Sequence, residues 1–279
     1  MNDNIESNVL VILVAFNPDW NKVFKRLASF SGIGHVFISD NSRVDNSLLF
    51  KDESVSYHYN DGNIGIAKAQ NIGIKYALQH RYSYIAFVDD DSDLTGDKLA
   101  ILLKNYHSLY LKNNHIAAYC ASPSEVGGFD KKQKSPLGPG LYLANNLMSS
   151  GSITRSDVFK ELGLFDERLF IDFVDYEWGW RAVSAGYSII IDTNVNFKHS
   201  LGIGKTRYGL GIPSPIRHYY QTRNLLWIMH LKYVPFMWKL KQILLLPVRF
   251  IYFGFFYIDS KDRRANFLKG LLAGLKRVS

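Results

Sequence analysis

Cysteine is nearly absent from this chain of 279 residues. The single Cys120 excludes a disulfide framework and a cysteine-rich zinc site. Its place in the apolar run Ile116 to Ala121 marks it as an inert core residue, compatible with a reducing compartment. Membrane-length apolar segments are also missing. The strand-like run Val9 to Phe16 and uncharged stretches such as Ile243 to Val248 fall far short of the roughly 20 residues a spanning helix needs. The first eight residues are polar and acid-bearing, unlike the basic, apolar start of a secretory leader. No Gly-x-Gly-x-x-Gly occurs, so the dinucleotide fingerprint is excluded. No internal repeat or heptad pattern is visible. Acids are scarce at one end: residues 205–279 hold 14 Lys and Arg against 2 Asp and Glu.

What is present suits one large domain, or one domain with an appendage. An apolar fraction of 47% and an aromatic fraction of 14% provide for a sizeable core. With the basic C-terminal quarter set aside, the remainder carries 19 basic and 23 acidic groups, a net charge of −4. The basic quarter is interleaved with large apolar residues, which favours an anionic membrane surface over nucleic acid.

The first two-thirds alternates strand and helix signals. Val9–Ala15, His35–Ser39, Val55–Tyr59 and Tyr84–Val88 read as strands; Trp20–Phe30 and Ala67–His80 read as helices. This rhythm predicts an α/β fold, a mostly parallel sheet with helices on both faces and with ligands outside the carboxyl ends of the strands. Residues 122–140 and 198–215, rich in Gly and Pro, read as loops. From Pro215 onward the chain reads as helical.

Two acidic centres stand out. The strand ending at Val88 runs into Asp89-Asp90-Asp91, three carboxylates whose repulsion calls for a compensating cation. Asp89 and Asp91, at a spacing of two, are expected to point the same way and suit Mg²⁺ or Mn²⁺ shared with substrate phosphates. The second centre runs from Phe170 to Arg181. Its carboxylates Asp172, Asp175 and Glu177 sit among large apolar residues that raise acid pKa values and favour base chemistry. Arg181 is placed to hold one of them ionised. Around these lie Asp40, a strand-end acceptor suited to a pyrimidine imide or to capping its own turn, and Asn63 to Gly73, small residues opening a helix. His199 is a possible ligand or a structural histidine. A Gly-rich loop after it carries Lys205 and Arg207. Arg217, Tyr220 and Asn224 share one helical face.

In order along the chain stand Val14-Ala15-Phe16-Asn17, Asp40-Asn41-Ser42, Asn63-Ile64-Gly65-Ile66-Ala67-x-Ala69-Gln70-Asn71-x-Gly73, Asp89-Asp90-Asp91-Ser92, Ser149-Ser150-Gly151-Ser152, Phe165 to Trp178, and His199-Ser200-Leu201-Gly202. This series resembles the inverting GT-A glycosyltransferases of the family 2 type, and within them the rhamnosyltransferase branch, over roughly residues 9–224. The resemblance implies a GT-A domain over residues 1–224, with a nucleotide-sugar half to about residue 95 and an acceptor half after it. A basic, apolar helical region, 225–279, would follow. It implies Asp175 as the catalytic base, with Asp172 and Glu177 as alternatives, and Asp89, Asp91 and His199 as metal ligands. Donor contacts would come from Asn17, Asp40, Asn63, Gly65, Ala67, Asn71, Asp89, Asp90, Arg181, Lys205 and Arg207; acceptor contacts from Asp172, Glu177 and Trp178. The expected partners are a nucleoside diphosphate sugar, dTDP-rhamnose above a UDP-hexose, and a polyprenyl-linked or glycan acceptor in cell-surface polysaccharide (O-antigen or cell-wall) synthesis. The expected location is the cytoplasmic face of the membrane, attached peripherally through the C-terminal region, with no nucleic acid. Asp90 departs from the Gln often found between the paired aspartates in that branch, which bears on the donor sugar.

Other readings fit less well. A nucleotidyltransferase would want a Gly-rich, Lys- or Arg-bearing loop after the first strand, and Phe16-Asn17-Pro18-Asp19 has none. A membrane-bound carbohydrate-binding module leaves both acidic centres unexplained. The apolar C-terminal faces have a subdomain contact or a homo-oligomer interface as their alternative use.

Overall fold

The structure, a computed structural model, describes residues 8–51, 55–123, 135–198 and 212–276. At its centre is β1 (Val9–Ala15), uncharged and buried from end to end. A strand apolar on both faces needs cover on both. Leu10, Ile12 and Val14 enter one core and Val9, Val11, Leu13 and Ala15 the other, as a period of two requires. The first core is closed by α2 (Ile66–Gln79), α4 (Ser156–Leu162) and α5 (Val174–Ser184), the second by α1 (Trp20–Ser29) and α3 (Gly96–Tyr110). Cys120 is buried, as expected.

The other strands are β2 (His35–Asp40), β3 (Val55–Tyr59), β4 (Tyr84–Asp89), β5 (Ile116–Pro123), β6 (Ser135–Gly138), β7 (Leu141–Ala144), β8 (Ser152–Arg155) and β9 (Ser188–Phe197). The sheet order is β3-β2-β1-β4-β8-β5-β9-β7-β6. The expectation of a mostly parallel sheet is corrected: β1–β2, β1–β4, β2–β3 and β5–β9 are parallel, but β4–β8, β5–β8, β6–β7 and β7–β9 are antiparallel. Long crossovers keep the first four strands parallel, whereas a hairpin reverses β6 into β7. The loop expected over 122–140 is likewise corrected, because Ser135–Gly138 pairs with β7. The register places Ala15 beside Asp40 and Val14 beside Asp89, so two strand-end aspartates flank the end of β1.

Three helices follow: α6 (Pro215–Ile228), α7 (Phe236–Phe255) and α8 (Ser260–Leu275). The boundary expected at residue 224 falls inside α6, whose Leu225 and Ile228 are buried. Helix α8 packs closely on α6: a Cβ at Gly270 would lie 2.5 Å from the Tyr219 carbonyl oxygen. Arg263 is fully buried and donates to the carbonyls of Ile258 and Pro213 and to His218 Nε2. Burial, reinforced by the Arg263 charge, pushes His218 down to about 4 and keeps it a neutral acceptor. Helix α7 turns Phe236, Met237, Ile243, Leu244, Val248 and Ile251 outward, each more than half exposed. Pro247 lies within it, and among the described residues no helix is long and apolar enough to cross a membrane.

Gly96 opens α3 where it meets α1, and a Cβ there would sit 1.7 Å from the Ser29 carbonyl oxygen. Gly96→Ala should therefore lower stability by about 1–3 kcal/mol, seen as an earlier urea midpoint. An unchanged midpoint would refute this packing of α1 on α3.

Candidate active site

The acidic turn after β4 is built by its own backbone and one arginine. The Ser92 amide and hydroxyl both donate to the Asp89 carbonyl, at 3.3 and 3.1 Å. Arg26 of α1 reaches beneath and donates to the carbonyls of Asp90 (3.0 Å) and Ser92. Burial pulls the Arg26 pKa down, and Asp90, Asp89, Asp91 and Asp93 oppose that pull. Part of the cation that three crowded carboxylates require is thus supplied by the chain. Sequence reasoning missed Arg26; the available signal was a basic residue on the helix following the first strand.

Asp90 accepts from the Phe16 amide at 2.8 Å, which joins the ends of β1 and β4. Burial pushes its carboxyl up to about 6. A residue expected among the donor contacts thus also ties two strand ends together. Asp89 and Asp91 flank it, Asp89 half-buried as the last residue of β4 and Asp91 exposed. Two carboxylates at a strand end suit a hard ion that takes its other ligands from phosphate and water. Among the described residues, no group of three or more His, Cys, Asp or Glu forms a complete metal cage. His199, Lys205 and Arg207 lie outside the described residues. Lys198, just before His199, is tied to the acidic turn: its carbonyl accepts from the Asp93 amide at 3.0 Å, and its amide donates to the Asp93 side chain.

Asp175 lies in the first turn of α5. Its Oδ2 accepts from the Ser149 amide at 3.3 Å and its Oδ1 from the Tyr176 amide at 2.9 Å. Burial outweighs these bonds and, with the Asp172 charge adding to it, pushes the carboxyl up to about 6. The turn that holds Asp175 also holds the acidic end of β4, since the Asp89 amide donates to Ser150 Oγ at 3.1 Å. Gln70 Nε2 supports the same turn by donating to Ser149 Oγ at 3.1 Å. Serines 149 and 150 therefore join the two acidic centres.

Several residues expected at the site are bonded into the scaffold as well. Glu177 is buried and accepts two bonds from Arg181, both at 3.0 Å, and a third from the Tyr233 hydroxyl. Arg181 also donates to the carbonyls of Leu162 and Leu164. Trp178 is buried against Phe159 and Phe165, with its Nε1 donating to the Gly163 carbonyl. Helical spacing explains this: Glu177, Trp178 and Arg181 lie on the face of α5 turned to the core. Asn71 exchanges hydrogen bonds with the Phe165 backbone, at 2.9 and 3.0 Å, and is buried. Ala67 is buried too. The open helix start expected at Gly65 and Ala67 is capped from within, because the Phe170 carbonyl accepts from Ile66 (2.7 Å) and Ala67 (3.4 Å). Gly65 has φ +87°, and a Cβ there would meet the Phe170 ring at 2.6 Å. Asn63 is exposed, and its Oδ1 accepts from the Gly65 amide.

Asp40 is fully buried. It accepts from the Ser42 amide (2.8 Å), Asn46 Nδ2 (2.9 Å) and the Tyr57 hydroxyl (2.7 Å), the turn-capping use of such a residue. Asn17 is exposed at the rim with φ +49°, and its Oδ1 accepts from the Arg43 amide. Asp172 is paired with Arg217 and also accepts from Gln221.

This sheet has the GT-A fold seen in glycosyltransferases, and the sequence is similar to their rhamnosyltransferase branch. It is 27% identical over 253 residues to the dTDP-rhamnosyl transferase RfbF of Shigella flexneri, with 86% of each chain covered. It is also 27% identical over 208 residues to an uncharacterized glycosyltransferase of Rickettsia felis, covering 64% of this chain and 32% of that one. No protein-family profile matches the chain. Among solved structures, GalNAc-T7 with UDP, GalNAc and Mn²⁺ superposes with a TM-score of 0.59 at 14% identity, over 87% of this chain and 55% of that one. Residues 1–349 of S. aureus TarS in complex with UDP-GlcNAc give 0.53 at 15% identity, over 95% and 79%. These two likenesses show the fold.

The raised Asp175 pKa sets a pH dependence. Between its ordinary value of 3.8 and about 6, the folded chain binds a proton there that the unfolded chain has lost. The contribution of this carboxyl to stability therefore falls as pH rises through that window. Asp175→Asn should gain stability relative to the parent between about pH 4 and about pH 7.5, measured by urea unfolding at both. A gap that stays constant would show that Asp175 titrates normally.

Proposed function

We propose that the protein transfers L-rhamnose from dTDP-L-rhamnose, with inversion, to a glycan or polyprenyl-linked acceptor in bacterial cell-surface polysaccharide synthesis. The observation that carries this is the Ser149–Ser150 bridge, which sets a carboxyl poised near neutrality beside a strand-end pair of aspartates. The name of the Shigella relative supports the donor. The UDP in the two superposed structures supports a nucleoside diphosphate and keeps a UDP-hexose as the second donor to test.

In this reading Asp89 and Asp91 would hold Mg²⁺ or Mn²⁺. When bound, the ion supplies positive charge against the diphosphate. Asp175 takes the proton from an acceptor hydroxyl as that oxygen attacks the anomeric carbon and the bond to the diphosphate breaks on the opposite face. One base suffices for such a single displacement, whereas retention would want a second carboxylate as nucleophile. The two nearest candidates in sequence are committed, Asp172 to Arg217 and Glu177 to Arg181. A base must be ionised, so turnover should rise with pH through about 6.

The outward apolar face of α7, with the exposed Lys241 on it and the exposed Lys232 just before it, supports in-plane attachment to the cytoplasmic leaflet. Its exposed side chains touch little else, so changing them should leave the fold intact.

A screen of dTDP-, UDP- and GDP-sugars should select dTDP-rhamnose, and dTDP should bind more tightly with Mn²⁺ in calorimetry. Metal-independent binding would remove the role of Asp89 and Asp91. Asp175→Asn should keep dTDP binding and lower turnover by about 10²–10⁴-fold. Full turnover in that variant would reassign the base. Met237→Glu with Leu244→Glu should abolish co-flotation with anionic liposomes; flotation equal to the parent would point to an interface between subunits.

A further inference from the structure

The segment entering α5 has an unusual backbone. Phe170, Asp172 and Phe173 all lie in the left-handed region, with φ of 64°, 65° and 65°. None is glycine, and such conformations persist only where surrounding structure enforces them. The enforcement comes from α6. Asn224 is fully buried and donates through Nδ2 to the carbonyls of Leu169 (2.8 Å), Ile171 (2.7 Å) and Asp172 (3.1 Å). Its amide cannot flip, because Oδ1 accepts from Arg223 at 2.9 and 2.8 Å. Arg223 donates onward to the carbonyls of Arg168 and Leu169. The Phe170 carbonyl turns the other way, to the start of α2. Five consecutive carbonyls, 168 to 172, are thus each held from outside the segment. Side chains complete the grip: Arg217 pairs with Asp172, and the Tyr220 ring stacks on Phe170 at 4.7 Å. Left-handed residues turn successive carbonyls toward neighbouring elements, and an Asn side chain is compact enough to meet several of them.

We propose that Asn224 is a positioning residue: its hydrogen bonds to the carbonyls of Leu169, Ile171 and Asp172 fix the left-handed segment that aims Asp175 at the Ser149 turn. This rests on the reading of Asp175 as the base. Loss of the amide lets the segment relax toward ordinary backbone angles and displaces the carboxyl from the acceptor oxygen. A shift of about 1 Å at a reacting group is enough to cost about 10²-fold in rate. The segment is gripped by α6 and touches the start of α2, whereas the strands of the nucleotide end are β1, β2 and β4.

The test uses the full chain with dTDP-L-rhamnose, or whichever donor the screen selects. Asn224→Ala and Asn224→Leu should each lower kcat by about 10²-fold. The affinity for dTDP with Mn²⁺ should stay at the parent value, and Asn224→Gln, which restores an amide donor, should recover part of the loss. A merely structural role would instead lower the amount of folded protein and weaken dTDP binding in parallel, and that result overturns the proposal. So does unchanged kcat in folded Asn224→Leu. If the Asn224 variants do not fold, Arg217→Gln decides, since it loosens the same segment from its rim: a lower kcat at constant dTDP affinity supports positioning, and an unchanged kcat refutes it. Asp175→Asn, measured alongside, separates the two hypotheses, because full turnover there sinks the base itself rather than its support.

Discussion

Two hydrogen bonds from one turn organise this molecule: the Asp89 amide to Ser150 Oγ, and the Ser149 amide to the Asp175 carboxylate. They join groups 86 residues apart in sequence with neutral partners. Neutrality matters because an arginine in the same place would hold Asp175 ionised and weaken it as a base. The nearby acids are treated differently. Arg217 pairs with Asp172, Arg181 with Glu177, and Arg26 braces the turn from Asp90 to Ser92. Among the described residues Asp175 has no ion pair, and it is the carboxyl of α5 whose pKa burial carries upward.

The C-terminal helices take part in the same construction. Helix α6 begins in what sequence suggests is the catalytic domain and ends beyond it, with α8 closing on it through Gly270 and Gly274. The buried Arg263 stitches α8 to the start of α6. One side of α6 therefore faces the loop that carries Asp172, while α7, packed on α8, presents an apolar surface to the outside.

Much of this was legible beforehand, and the failures have a pattern. Strands β1 to β4 and helices α1 and α2 lie within a residue or two of where periodicity puts them, because each is long and strongly patterned. The expected parallel character fails at β7 and β8, which pair antiparallel, and β6 lies in a segment read as loop. Short strands paired through hairpins and tight turns carry little local signal. At the site, the two acidic centres were visible as clusters, yet composition could not say which carboxylates face the cleft. Asp90, Glu177, Trp178, Arg181 and Asn71 share motifs with Asp89, Asp91 and Asp175 and also make hydrogen bonds that hold the frame. A one-residue step along a helix or turn reverses what a side chain meets.

By itself, the amino-acid sequence determined the order of the first four strands and the helices α1 and α2, the two-faced burial of β1, the placing of acids at strand ends and the basic, apolar character of the last quarter. All of these follow from hydrophobic period and charge, which are local. Tertiary structure alone decided that Ser149 and Ser150 join Asp89 to Asp175, that Arg26 braces the acidic turn, and that Asn224 holds the left-handed entry to α5. Those are contacts between residues 26 to 66 positions apart, and no local pattern encodes which distant partner satisfies a given carbonyl, amide or carboxylate.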